Sequence, residues 1–174
     1  MVITVRSFRK NPLIILTCTA ILSLASSSVN AENGEDLPGP AEGNEPESQG
    51  LTVEAKKIKR NEGGNLISID WSISNETDSD VALTWLHEKQ TYTYNGDYYS
   101  GVTIVDPNTD TRHHPLMDQS GECVCAGNTS SRFYNQVVSG GESAYWSLFS
   151  TPSDVETLTL EVPGFEPIED IPID

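Results

Sequence analysis

The segment "LISIDWSISN", residues 66–75, constrains the fold more than any other part of the chain. Apolar and polar side chains alternate along it, and the apolar positions after the first leucine are Ile67, Ile69, Trp71 and Ile73. Because successive side chains of a β-strand point to opposite faces, this alternation predicts a strand with one buried face. No window of the chain shows a convincing helical period, so we predict an all-β protein.

Six further segments have the character of strands and are separated by turn-forming residues: "LTVEAKKIKR", "VALTWL", "GVTIVD", "RFYNQVV", "SAYWSLF" and "VETLTLEV". About seven short strands, with turn signals roughly every 8–12 residues, predict an antiparallel β-sandwich. We assign this single domain to residues 51–174. Its predicted core comprises Ile67, Ile69, Trp71, Ile73, Leu83, Trp85, Ile104, Trp146, Leu148, Leu158 and Leu160.

The N-terminus has the three-part pattern of a secretory signal peptide over residues 1–31. A basic cluster precedes an apolar run, and small residues precede the predicted cleavage point after Ala31. The apolar run is shorter than the roughly 20 residues that a spanning helix needs, which argues against an uncleaved anchor. A lipid anchor at Cys18 is a further alternative. We therefore expect a secreted or extracytoplasmic protein, in the cell envelope or outside the cell, without stable membrane insertion after cleavage.

Residues 32–50 contain six acidic residues, three prolines and no basic residue. This composition buries too little apolar surface to offset its chain entropy, and it predicts a disordered acidic linker. The linker could hold the domain away from a surface or could be a featureless leader.

Net charge excludes one class of partner. The whole chain has a formal charge of −16, and removal of residues 1–31 leaves 10 − 3 = 7 basic against 26 acidic residues, or −19. Such a chain is repelled by phosphate backbones and anionic lipid surfaces, so we expect no nucleic-acid binding. The segment "KKIKR", residues 56–60, is interpreted as the solvated face of a strand. A protein or a neutral saccharide therefore remains as the expected partner.

Four segments recur together in a known order: "SNETDSDV", "GVTIVDPNTDTRHHPLMDQSGECVC", the stretch from "GGES" to "TPSDV", and "LTLEVPGFEPIEDIPI". In that order they resemble a domain of secreted or envelope-tethered actinobacterial proteins. The resemblance covers residues 51–174, and its most specific elements are the "SGECVC" segment and the "VPGFEP" tail. It implies an immunoglobulin-like fold that occurs alone or beside a peptidoglycan-binding domain, and it implies no particular activity.

Cys123 and Cys125 are the two cysteines that remain once the signal peptide, with Cys18, is removed. An even count in an oxidising compartment predicts a bond between them. In an extended strand their Cα atoms would lie about 6.6 Å apart, near the upper limit for a disulfide, so the chain must contract locally. Two interpretations stay open: a structural clip, or a redox or metal handle. The second gives the alternative function of a thiol–disulfide or metal-handling protein.

The segment "TYTYNGDYYSG", residues 91–101, predicts a β-hairpin with its turn at Asn95–Gly96. Such a hairpin would place Tyr92, Tyr94 and Tyr99 on one face as a ledge for a protein or saccharide. Packing of the same rings across strands is the alternative.

No motif of a catalytic site is present, and Tyr145 stands where a nucleophile elbow needs glycine. "DPNTD", residues 106–110, begins like a calcium loop, but the glycine and bidentate glutamate of such a loop are missing. His113 and His114 would point to opposite faces of a strand, which is poor geometry for joint metal ligation. We therefore predict no catalytic residues, no metal and no cofactor. The predicted function is a secreted, non-catalytic binding or structural module of the bacterial envelope.

Overall fold

The structure is a computed structural model that describes residues 37–90, 92–127 and 135–174, and the predicted signal peptide lies outside them. The strands are β1 Ala41–Glu42, β2 Leu51–Arg60, β3 Leu66–Asn75, β4 Val81–Ala82, β5 Thr103–Asp106, β6 Thr111–His113, β7 Gln136–Val137, β8 Glu142–Ser150, β9 Thr157–Glu161 and β10 Ile168–Pro172. A 3-10 turn spans Pro46–Ser48, and a short helix, α1, spans Thr84–Glu88. The all-β prediction is confirmed.

All strand pairs of the described chain are antiparallel. The first sheet has the order β1-β2-β3-β8, the second has the order β10-β9-β5-β6, and β4 pairs with β7. One hydrophobic cluster draws side chains from both four-stranded sheets, for example Ile69 and Trp71 from the first and Leu158 and Leu160 from the second. Within the described residues, no helix has the length and apolar character needed to cross a membrane.

Strand β3 is an interior strand of the first sheet, and it buries one face, as its sequence pattern predicts. Its four alternate apolar side chains, Ile67, Ile69, Trp71 and Ile73, are all fully buried. The Trp71 indole N–H donates a hydrogen bond to the Ser147 hydroxyl at 3.3 Å. A buried indole thereby keeps a partner for its polar group.

Strand β8 buries the face opposite to the predicted one. Trp146 is 45% exposed and Leu148 is half-buried, whereas Tyr145, Ser147 and Phe149 face the core. A shift of one residue moves every side chain of a strand to the other face. The pattern misled the prediction because both alternate sets of "SAYWSLF" contain large apolar residues.

The predicted strand "VALTWL" is also wrong beyond its first two residues. Strand β4 ends at Ala82, and α1 begins at Thr84. Leu83 and Leu86, three residues apart, are both fully buried, and Trp85 is half-buried. A single helical turn is too short to produce a detectable period in the sequence.

The prediction of a disordered linker over residues 32–50 is wrong for residues 37–50, while residues 32–36 lie outside the described part. Residues 41–48, here called the clasp, pair with β2 and then cross to the chain between β9 and β10. Ala41 pairs with Val53, and Gly43 forms a bridge with Phe165. Composition misled the prediction because the clasp, which has no large apolar residue, is held mainly by backbone pairing and by the buried side chain of Ser48.

Candidate functional site

Cys123 and Cys125 form a disulfide, with their Cα atoms 5.2 Å apart and both side chains buried. A tight turn precedes them, in which the Asp118 carboxylate accepts the backbone N–H groups of Ser120 and Glu122, each at 2.8 Å. The backbone of Gly121 in this turn has a φ of +81°, which favours glycine. The cysteines therefore lie in a loop ordered by this turn and not in a regular strand.

The predicted tyrosine hairpin does not form. Gly96 has a φ of +93°, but within residues 92–101 the two segments that flank it do not pair with each other. Instead Asn95 donates its backbone N–H to Gly121 O at 2.7 Å and its side-chain amide to Ser120 O at 2.6 Å. The tyrosine segment thus docks on the cysteine loop.

The three predicted ledge residues are separated. Tyr99 is fully buried in the main core, where its ring centroid lies 5.0 Å from that of Tyr145. Tyr94 is 7% exposed and donates its hydroxyl to Pro115 O at 2.6 Å, and burial raises its pKa to about 12. Tyr92 remains 55% exposed. The exposed ledge is therefore a wrong prediction, and the packing alternative describes Tyr94 and Tyr99.

The tyrosine segment and the cysteine pair, which are separate in the sequence, pack together in the structure. Tyr94 and Tyr98 form a small hydrophobic cluster with Cys123 and Cys125, apart from the main core. Both cysteines are buried in this cluster, so an attacking thiolate has poor access to the sulfur atoms of the disulfide. This geometry favours the clip interpretation over the reactive pair.

We expect the double variant Cys123→Ala, Cys125→Ala to fold and to lose no more than about 2 kcal/mol in the free energy of unfolding. So short a closed loop restricts the unfolded chain little. Alanine is preferred to serine because both positions are buried. Urea denaturation of the variant, beside the unaltered protein with and without reductant, measures this. A variant that fails to fold would show that the bond is central to the fold.

The cysteine loop also extends the first sheet. Cys125 forms a bridge with Ser147 of β8. The backbone N–H of Ala126 donates to Trp146 O at 2.8 Å, and that of Leu148 donates to Val124 O at 3.1 Å. Residues 124–126 therefore run along β8 and support the strand that carries Trp146.

The surface of the first sheet that points away from the core, here called the outer face, includes two neighbouring rows of paired residues at one end. One row runs Lys57–Asp70–Trp146, and the other runs Lys59–Ser68–Leu148. Directly paired residues of an antiparallel sheet lie on the same face. Trp146 thus lies on an open sheet surface, beside the Asp70 carboxylate and in the same row as Lys57.

A groove of about 370 Å³ lies at one end of the outer face. Lys59, Leu66, Ser68 and Leu148 are among its lining residues, and Glu62 adds a carboxylate. Within the described residues, no carboxylate forms an ion pair with Lys57 or Lys59. Their neighbour Lys56 differs, because Glu54 and Glu142 bind its ammonium group and raise its pKa.

The other candidate residues have local roles. The Asp106 carboxylate accepts hydrogen bonds from the Thr109 hydroxyl, at 2.7 Å, and from the Asn108 backbone N–H, at 2.9 Å, and these bonds lower its pKa. This network shapes the turn between β5 and β6. His113 and His114 are both half-buried, and the latter ring lies 5.9 Å from that of Tyr92. The described residues contain no group of three or more His, Cys, Asp and Glu side chains arranged to hold a metal ion.

No protein-family model matches the chain, and no curated protein matches it. Among solved structures, it is similar to a functionally unknown protein from Listeria monocytogenes EGD-e. The two share 13% sequence identity, the match covers 79% of this chain and 85% of that chain, and the TM-score is 0.39. A similarity of this degree carries no functional argument.

Proposed function

We propose that the protein is an exported, non-catalytic binding module of the bacterial cell envelope or extracellular space, with an immunoglobulin-like β-sandwich fold. The signal-peptide pattern of residues 1–31 supports export. Two four-stranded antiparallel sheets that contribute to one hydrophobic cluster support the sandwich, since such domains bury the inner faces of two sheets against each other.

The observation that carries the proposal is Trp146, an indole ring 45% exposed on the outer face. A large aromatic side chain with few rotatable bonds provides contact area at a low entropy cost. Rings of this type dominate the energy of many binding surfaces. The open sheet surface around it suits an extended ligand, and the groove at its end provides a concave continuation.

The ligand that fits this surface is a neutral saccharide. Its C–H faces can stack on the indole ring, and its hydroxyl groups can donate to Asp70 and accept from Lys57 and Lys59. Charges of both signs on the outer face favour no strongly charged ligand. The net charge of the chain also disfavours polyanions at long range.

The alternative function, thiol–disulfide or metal handling through Cys123 and Cys125, has less support. Exchange requires access to a sulfur atom, and both cysteines lie in a cluster with Tyr94 and Tyr98. Titration of free thiols in the exported protein, with and without reductant, separates the two functions. A thiol that reacts without reductant and without denaturant would favour the alternative.

The test is affinity electrophoresis of the protein without residues 1–31 through gels that contain one soluble polysaccharide each. We expect at least one neutral glucan, mannan or galactan to retard the protein, and alginate, a polyanion, to have no effect. Retardation by alginate alone, or by none of a broad neutral set, would contradict the proposed ligand class.

A further inference from the structure

The segment "VPGFEP", residues 162–167, is distinctive in the sequence but takes no part in the outer face. It forms a tight turn in which the Phe165 N–H donates to Val162 O at 3.1 Å. The carbonyl of Gly164 then accepts the backbone N–H of Asn44, at 2.8 Å, and the hydroxyl of Ser48. The turn and the clasp therefore meet, and both contribute to the wall of a cavity.

This cavity measures about 390 Å³, a size within the usual range of small-ligand sites. Residues from separate parts of the chain line it: Glu45 of the clasp, Lys89 after α1, and Arg112 and Glu161 of the second sheet. Val162, Pro163, Phe165 and Pro167 give it an apolar surface. It shares no lining residue with the groove on the outer face.

Two ion pairs flank the cavity. Lys89 Nζ lies 2.5 Å from Glu45 Oε2. Arg112 binds both carboxylate oxygens of Glu161, and its Nη1 donates to Thr103 Oγ1 at 2.7 Å. This two-pronged contact fixes the plane of the guanidinium group before any ligand arrives. Within the described residues, the other N–H groups of Arg112 form no hydrogen bond and can donate to a ligand.

We propose that this cavity binds a short zwitterionic peptide. The formal charges of its four charged lining residues sum to zero, although the chain as a whole has a charge of −16. A ligand with one carboxylate and one ammonium group can find an opposite charge at each end without leaving an unpaired charge in the cavity. The apolar wall suits small aliphatic side chains between those ends.

Titration with alanyl-alanine, followed by amide NMR shifts of the protein without residues 1–31, tests this proposal. We expect saturable binding with a Kd on the order of 1 mM, with shifts centred on Thr103, Arg112 and residues 162–165. N-acetyl-alanyl-alanine and alanyl-alanine amide each lack one charge. Each should bind about fivefold more weakly, because a lost exposed ion pair has an effect of that size.

Arg112→Gln should weaken binding by a similar factor, and Lys59→Gln, on the outer face, should leave it unchanged. If Arg112→Gln disturbs the fold, as its spectrum before titration would show, Lys89→Gln takes its place. Three results would overturn the proposal: no saturable shift, shifts centred elsewhere, or equal affinity for the blocked and unblocked dipeptides. Since the cavity and the outer-face groove share no lining residue, the outcome of this test does not depend on saccharide binding.

Discussion

Deletion of residues 37–48 will lower the free energy of unfolding by roughly 3–5 kcal/mol, although their composition is that of a spacer. The deletion removes β1 and several hydrogen bonds between the clasp and the domain, each with a net value of about 0.5–1.5 kcal/mol. Leu37 and Ala41 also pack against the main core. Since domains of this size are stable by only about 5–15 kcal/mol, this loss is large.

Two glycines of this segment make a matched pair for the same test. A Cβ added at Gly43 would lie 2.0 Å from the backbone oxygen of Ser48, whereas one at Gly39 would meet nothing within 4 Å. We therefore expect Gly43→Ala to destabilise the protein and Gly39→Ala to leave its stability unchanged. Urea denaturation of the deletion and of both variants measures this. If the deletion and both glycine variants were as stable as the unaltered protein, residues 37–48 would be a spacer, as their composition predicts.

The clasp also shows where reasoning from sequence stops. Strand β3 was predictable because its alternation is a local pattern and its apolar residues from Ile67 onward lie on one face. The clasp was not, because the Ser48 hydroxyl binds Gly164 O, 116 positions away in the sequence. Local composition carries no information about such a partner, and a segment without large apolar residues can still be ordered by backbone pairing.

The candidate site was predictable to a similar, partial degree. The Cys123–Cys125 pairing followed from the cysteine count and the expected compartment. The tyrosine hairpin failed because "NG" is a local signal, whereas Asn95 pairs with the loop at residues 120–121. Trp146 was missed as a surface residue because both faces of β8 have apolar side chains. Its pairing opposite the exposed Asp70 decides its side of the sheet, and that pairing is a tertiary property.

Trp146→Ala should reduce affinity for the retarding saccharide by roughly 30-fold or more, because truncation of an aromatic anchor typically costs about 2 kcal/mol or more. Stability should change by less than about 1 kcal/mol, since a half-exposed side chain on an open sheet face leaves no buried cavity when it is removed. A large loss of affinity with little change in stability would identify Trp146 as a binding residue and not as a residue of the core.

Tyr92→Ala is the matched control, because Tyr92 is 55% exposed and lies outside the outer face. The decisive measurement is the affinity of both variants for the same neutral polysaccharide, by affinity electrophoresis, with urea denaturation to verify their folding. We predict that folded Trp146→Ala loses retardation while Tyr92→Ala keeps it. Full retardation of folded Trp146→Ala, with loss in Tyr92→Ala, would contradict the assignment of the outer face as the binding surface.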